Sequence, residues 1–221
     1  MLISRLSAMS KPYLDVLTNN RKETFKKLAA FKRQGMLGGG TALSLQLKHR
    51  YSYDFDIFLP NSITSHFTRR VHALLPIKDK LVDSSDELTV TTSDNIKITF
   101  LYYYFPHLFP LVATESVSLF NTKDIAADKA ATIGRRGNWR DYVDIFFLLK
   151  EKHTNLDKII INASKKFGPQ FSVKLFLEQL TFFEDIRDYQ IDFIKEKIST
   201  EEIKSFLLEK VNDFKNVNLH T

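Results

Sequence analysis

Residues 37–59 read LGGGTALSLQLKHRYSYDFDIFL, and this stretch contains more information about the fold than any other. Three consecutive glycines at 38–40 precede a helix-compatible run at 41–47. The segment 51–59 is aromatic and apolar except at three positions, and Pro60 ends it, which predicts a β-strand. A glycine turn, a short helix and a strand therefore follow one another and predict the start of an α/β unit.

Two carboxylates interrupt the predicted strand, at Asp54 and Asp56. Side chains at i and i+2 of a strand lie on the same face, so the two charges are expected to be neighbours. Like charges in a largely buried strand are unfavourable unless a cation compensates them. Mg²⁺, held by carboxylates and substrate phosphates, would do so. The alternative is a solvated strand end, or a pair with Arg50, and the residues alone leave both interpretations open.

The glycine turn indicates a phosphate site upstream of these carboxylates. Backbone N–H groups at a glycine-rich turn and helix N-terminus bind phosphate, and glycine permits close approach. We expect Gly39, Gly40 and the hydroxyl group of Thr41 to contribute. No lysine follows at the spacing of a P-loop, which argues against that class of NTPase. A phosphate cradle one helix away from a metal-binding pair is what nucleotidyl transfer requires.

Composition restricts the class of protein. The chain has 221 residues, 43% of them hydrophobic, which is enough for a substantial core. It contains no cysteine, so disulfides, thiolate zinc sites and cysteine nucleophiles are excluded, and a cytoplasmic location is expected. The most apolar stretch, 96–113, is interrupted by charged residues and prolines, so we expect neither a transmembrane span nor a signal peptide.

The remaining patterns predict an α+β fold with two parts. An N-terminal α/β core at 1–110 has a mixed sheet with flanking helices, and a C-terminal α-helical bundle occupies 111–221. Predicted strands lie at 51–59, 88–92 and 96–104, the last two joined as a hairpin. Predicted helices, by periodicity and stop signals, lie at 20–34, 41–47, 62–75, 122–135, 139–152, 155–166, 172–189 and 199–214.

The positive charge is concentrated at the N-terminal end. The whole chain has a formal charge of +6, whereas residues 1–50 alone contain ten Lys/Arg and two Asp/Glu, a local charge of +8. The helix 20–34, predicted to begin at Asn20, places several of these charges on one face. Such asymmetry favours a polyanionic partner such as nucleic acid, although a solvated helix face would have the same pattern.

Four ordered motifs resemble the AbiEii/AbiGii abortive-infection nucleotidyltransferase toxin family, which has a DNA polymerase β-like fold. Besides the stretch at 37–58, they are DIAADKAATI at 124–133, RRGNWRDYVDI at 135–145 and LTFFED at 180–185. By this resemblance, Lys129 would contact nucleotide phosphates, and Asp141 or Asp144 would complete the site. The expected activity is Mg²⁺-dependent transfer of NMP from an NTP to an acceptor, tRNA being the first candidate, with a cognate antitoxin as partner.

Other interpretations of these residues stay open. Lys129 and the arginines at 135, 136 and 140 are also compatible with a solvated surface, and Asp144 with an ion pair to Arg140. The strand at 95–100 lacks the third carboxylate that polymerase β-like transferases commonly have. That departure keeps a non-catalytic binding protein and a small-molecule nucleotidyltransferase as alternatives. The six histidines lack metal-ligand spacing and are expected at the surface or in the core.

Overall fold

The computed structural model describes residues 11–218, and a five-stranded mixed sheet lies at its centre. The strands are β1 (Met36–Leu37), β2 (Phe55–Leu59), β3 (Ile77–Asp83), β4 (Glu87–Thr92) and β5 (Lys97–Tyr102). Their order is β1-β2-β5-β4-β3; β2 and β5 are parallel, and the other neighbours are antiparallel. The acidic strand β2 therefore has a neighbour on both sides.

Eight α-helices surround the sheet in the described part of the chain. They are α1 (Asn19–Leu28), α2 (Gly39–Leu47), α3 (Ser65–Leu74), α4 (Thr122–Ile133), α5 (Trp139–Lys150), α6 (Leu156–Phe167), α7 (Val173–Leu180) and α8 (Thr200–Asn218). Polar N-cap side chains accept backbone N–H bonds at the start of α3 to α7, which fixes where each begins. Within 11–218, no helix combines the length and apolar character needed to cross a bilayer.

The two faces of the sheet differ in chemistry because side chains alternate along each strand. One face is apolar and packs under aromatic residues of the N-terminal half: the ring of Phe25 in α1 stacks on Phe55 at 6.2 Å, and those of Phe31 and Phe67 lie within 5.3 Å of Phe100. The opposite face includes Asp56. This polar face is left for the helices of the C-terminal half.

The two halves share one continuous hydrophobic core. Helix α2 packs against both α4 and α5, so the glycine turn is held directly on the C-terminal helices. Helix α5 is buried over most of its length, from Trp139 to Leu149. The α+β class is confirmed, whereas the division at 110/111 stays a prediction, with residues 1–10 and 219–221 outside the described range.

Several element boundaries differ from those predicted. Helix α1 has Thr18 rather than Asn20 as its N-cap and ends at Leu28, followed by a 3₁₀ turn. Residues 51–54 are not a strand, because the backbone N–H of Tyr51 donates to Asp192 in a loop. The predicted helix 172–189 ends at Leu180, because the segment beyond it turns back to pack around Trp139. Strands β1 and β3 were not predicted.

Candidate active site

The glycine turn lies directly against one carboxylate of the acidic pair. Gly38 is the N-cap of α2, and its N–H donates to the backbone oxygen of Asp56 at 2.9 Å. Gly39 has a φ of +64°, and a Cβ built on it would lie 2.5 Å from Oδ2 of Asp56. Glycine is required here both for the left-handed conformation and for the close approach. The N-terminus of α2, with its unpaired N–H groups, thus lies beside the carboxylate.

The next two residues fix the loop that carries Asp54. The Thr41 hydroxyl donates to the backbone oxygen of Asp54 and lies 3.0 Å from Oγ of Ser52, and Thr41 is 1% exposed. A Cβ on Gly40 would lie 2.7 Å from the Arg50 guanidinium. The hydroxyl group of Thr41 is thus bonded inside the protein, and its expected contact with a phosphate stays a prediction.

The acidic pair itself has no protein partner within the described residues. Neither Asp54 nor Asp56 forms a salt bridge or a side-chain hydrogen bond there. Burial, and then the charge of Asp54, raises the pKa of Asp56. No group of three or more His, Asp or Glu side chains in 11–218 could hold a metal ion by itself. Two carboxylates without an ion-pair partner beside the N-terminus of α2 nevertheless fit Mg²⁺, which shares its ligands with substrate phosphates.

A buried network of charges supports the acidic pair from the side of α4 and α5. The ammonium of Lys129 contacts Asp141 at 2.5 Å and Asp144 at 2.7 Å. Arg50 binds both oxygens of Asp144, through Nε at 2.7 Å and Nη2 at 2.9 Å, and Nε2 of His49 lies 2.8 Å from the same carboxylate. The side chains of His49 and Asp144 are fully buried.

The network holds Asp144 ionised. Burial opposes the charge of Asp144, but Arg50, Lys129 and His49 outweigh it and hold its pKa well below the usual range. Burial likewise opposes the charge of Lys129, yet Asp141 and Asp144 raise its pKa. The charge of Lys129 also acts to lower the pKa of Asp56, so the network lies within electrostatic reach of the acidic pair.

Comparison with known proteins places this geometry in a family. The family described as "Nucleotidyl transferase AbiEii toxin, Type IV TA system" matches residues 26–215, which is most of the chain. The protein belongs to the AbiEii toxin family. It is therefore a nucleotidyltransferase. An uncharacterized protein of Aquifex aeolicus is 31% identical over 183 residues, covering 80% of this chain and 86% of the relative.

Solved structures agree with the fold. A candidate nucleotidyltransferase from Helicobacter pylori superimposes with a TM-score of 0.55 at 21% identity, covering 89% of this chain and 95% of that one. MenT4, a nucleotidyltransferase toxin of Mycobacterium tuberculosis, superimposes with a TM-score of 0.58 at 13% identity, covering 86% and 80%. At these identities the likeness concerns the fold.

The AbiEii chain brings all the predicted site residues into one region, although their roles stay predictions. Gly39 contacts Asp56, and Lys129 joins Asp141 to Asp144. Two ion pairs considered from the sequence are not formed in the described structure. Arg50 binds Asp144 rather than the acidic pair, and Arg140 forms no salt bridge with Asp144. The register places Thr99 of β5 opposite Asp56, so a hydroxyl group and not a carboxylate stands beside Asp56 in that strand.

The contacts of three residues in this region were not predicted from the sequence. His49 and Arg50 are fixed by a partner more than 90 positions away, and no local pattern indicates such a contact. Arg21 was counted in the positive charge of residues 1–50, but it is 5% exposed and its guanidinium lies over the rings of Tyr53 and Phe55. The basic block is consequently smaller than its charge suggests, and Arg5 lies outside the described residues.

Proposed function

We propose that this AbiEii toxin transfers NMP from an NTP to an RNA acceptor, such as tRNA, with Mg²⁺ bound by Asp54 and Asp56. The observation that carries the proposal is the unpaired acidic pair packed against the Gly39 turn. When bound, the metal ion would neutralise charge on the triphosphate and polarise it for attack. Cytoplasmic action on a cellular RNA belongs to the same proposal.

The chain's own residues would act by positioning and by charge. The backbone N–H groups of Gly39, Gly40 and Thr41 would bind the triphosphate at the start of α2. Lys129 would offset negative charge that develops on the phosphates, while Asp141 and Asp144 hold its ammonium in place. An acceptor hydroxyl attacks the α-phosphate, the bond to the β-phosphate oxygen breaks, and pyrophosphate leaves.

The exposed lysines of the N-terminal block support a polyanionic acceptor. Lys26, Lys27 and Lys32 are exposed, and they lie on α1 and the turn after it. Phosphate contacts by such residues would make acceptor binding steeply dependent on salt. The family's description as part of a toxin–antitoxin system supports a cognate antitoxin as the protein partner.

Asp56→Asn tests the catalytic proposal. The variant should lose label transfer from NTPs to bulk RNA in the presence of Mg²⁺ and should melt at or above the wild-type temperature, because an unpaired, partly buried charge is removed. Asp94→Asn changes an exposed carboxylate in the turn between β4 and β5 and serves as the control. Equal transfer by wild type and Asp56→Asn would contradict the proposal.

Charge reversal tests the acceptor. The triple variant Lys26→Glu, Lys27→Glu and Lys32→Glu should bind RNA more weakly than wild type, and its RNA binding should depend less on salt. Its NTP binding should be unchanged. The control is the triple variant Lys158→Glu, Lys165→Glu and Lys174→Glu. It makes the same change in net charge at exposed positions on α6 and α7. If both triple variants bind RNA alike, or if turnover is insensitive to salt, a small-molecule acceptor replaces RNA in the proposal.

A further inference from the structure

A pocket of about 370 Å³ adjoins the candidate active site, and the proposed function does not yet assign it a ligand. Its aromatic wall consists of Phe58, Tyr103, Phe105 and Phe167, and its other wall is the C-terminal half of α4, with Asp128 and Thr132. Arg135 and Arg136 lie at its rim, where they are exposed. The volume is within the range of small-ligand sites in proteins.

The pocket lies next to the acidic pair on the same face of the sheet. Phe58 follows Asp56 by two positions in β2, so both side chains lie on the polar face of the sheet. The charge of Arg136, at the rim, acts on Asp56. Asp128 precedes Lys129, whose ammonium joins the network beside the acidic pair. A nucleotide with its phosphates at Gly39 would therefore have the pocket within reach of its base.

The polar group inside the pocket is a carboxylate held in a fixed orientation. Oδ1 of Asp128 accepts a hydrogen bond from the Tyr103 hydroxyl at 2.7 Å and lies 2.8 Å from the ammonium of Lys166, which is fully buried. Oδ2 accepts no hydrogen bond from any residue between 11 and 218, and the side chain of Asp128 is 21% exposed. One acceptor oxygen is thus left for a ligand among aromatic rings.

We propose that this pocket binds the nucleobase of the incoming NTP and that Oδ2 of Asp128 accepts a hydrogen bond from an amino group of the base. The inference rests on the proposed function, because it assumes that the triphosphate lies at Gly39. Aromatic walls suit a base, and the free oxygen of Asp128 is an acceptor, which suits a base amino group rather than a phosphate oxygen. Cytosine, adenine and guanine have an exocyclic amino group at the edge of the base, whereas the N3–H donor of uracil is flanked by two carbonyl oxygens that the carboxylate repels.

Equilibrium binding of the four NTPs, measured with Mg²⁺ and without acceptor, tests the assignment independently of transfer. Wild type should bind at least one of CTP, ATP and GTP about tenfold or more tighter than UTP. Asp128→Asn, whose amide can donate to a carbonyl, should reduce that preference by a similar factor. Asp157→Asn, an exposed carboxylate on α6, is the matched control and should keep it. Equal affinity of wild type for all four NTPs would overturn the proposal.

Thr132→Phe is a second variant that does not disturb the Lys166 pair. A larger side chain should fill the pocket and weaken binding of every NTP about tenfold, while tripolyphosphate, which has no base, binds as in wild type. If Thr132→Phe weakens the binding of tripolyphosphate as much as that of the NTPs, the pocket holds phosphates and the assignment is wrong. A wild type that shows the base preference yet transfers no nucleotide to RNA would refute the proposed function alone.

Discussion

Replacing Asp144 by Asn would test whether the buried charge network holds the two halves together. The carboxylate is fully buried and has three cationic or polar partners, Arg50, Lys129 and His49, at 2.7 to 2.9 Å. Removing its charge leaves the guanidinium and the ammonium buried with less compensation. Breaking such a pair costs about 3–5 kcal/mol. For a chain of this size, that corresponds to a melting temperature lower by about 6–20 °C.

The control and the pH dependence sharpen this prediction. Asp83→Asn breaks an ion pair to Lys80 in which both side chains are at least 40% exposed, so its cost should be below about 1 kcal/mol. Because the folded-state pKa of Asp144 lies below the unfolded value of about 3.9, its stabilisation is present above that pH and is lost as the pH falls further. The gap between wild type and Asp144→Asn should therefore shrink on acidification below about pH 4.

Chemical denaturation between pH 3 and 7 measures all three proteins. A cost for Asp144→Asn equal to that of Asp83→Asn, or a gap that widens on acidification, would refute the reasoning. The double variant Arg50→Met with Asp144→Leu provides a further check, because apolar side chains of similar size often replace a buried pair without loss. Its unfolding free energy should exceed the value expected from adding the two single changes.

Two other predictions concern single residues. Gly39→Ala should abolish transfer and destabilise the protein by more than Gly168→Ala, in calorimetry, because both have a positive φ but only Gly39 has a carboxylate where the methyl group would lie. Equal costs would contradict the close approach. Arg21→Met should keep the unfolding free energy within about 1 kcal/mol of wild type, because the buried Nη atoms have no hydrogen-bond partner among the described residues. A larger loss in thermal melts would reveal a contact that these groups make.

The elements that were predicted correctly have strong local patterns. The glycine turn, α2 and the hairpin between β4 and β5 follow from turn chemistry and alternation, and α4 to α6 begin at Asn caps. Strand β3 was missed because it is an exposed edge strand, so IKDKLVD has no buried face to produce an alternating pattern. The end of α7 was missed because tertiary packing around Trp139 overrides helical periodicity.

Some residues of the candidate site were likewise identified from local sequence patterns, and others were not. The acidic pair, Gly39 and Lys129 were singled out by residue type and order, together with the family resemblance, and their roles stay predictions. The partners of Asp144 could not be found in this way, because Arg50 seemed equally suited to its sequence neighbour Asp54. The choice is made by the helix packing of α2 on α5, which no local pattern specifies. The same applies to Thr99, whose place beside Asp56 depends on the register of two parallel strands.

The 94 positions between Arg50 and Asp144 also have a consequence for synthesis. A ribosome adds about 5–20 residues per second, so the glycine turn and the acidic strand emerge several seconds before α5. During that interval Arg50 lacks the carboxylate that compensates it, and Lys129 lacks Asp141 as well. The N-terminal half therefore has no complete charge network of its own, and a nascent toxin acquires its cleft only once α5 has been made. A chain ending before residue 139 should therefore lack this network and transfer no nucleotide.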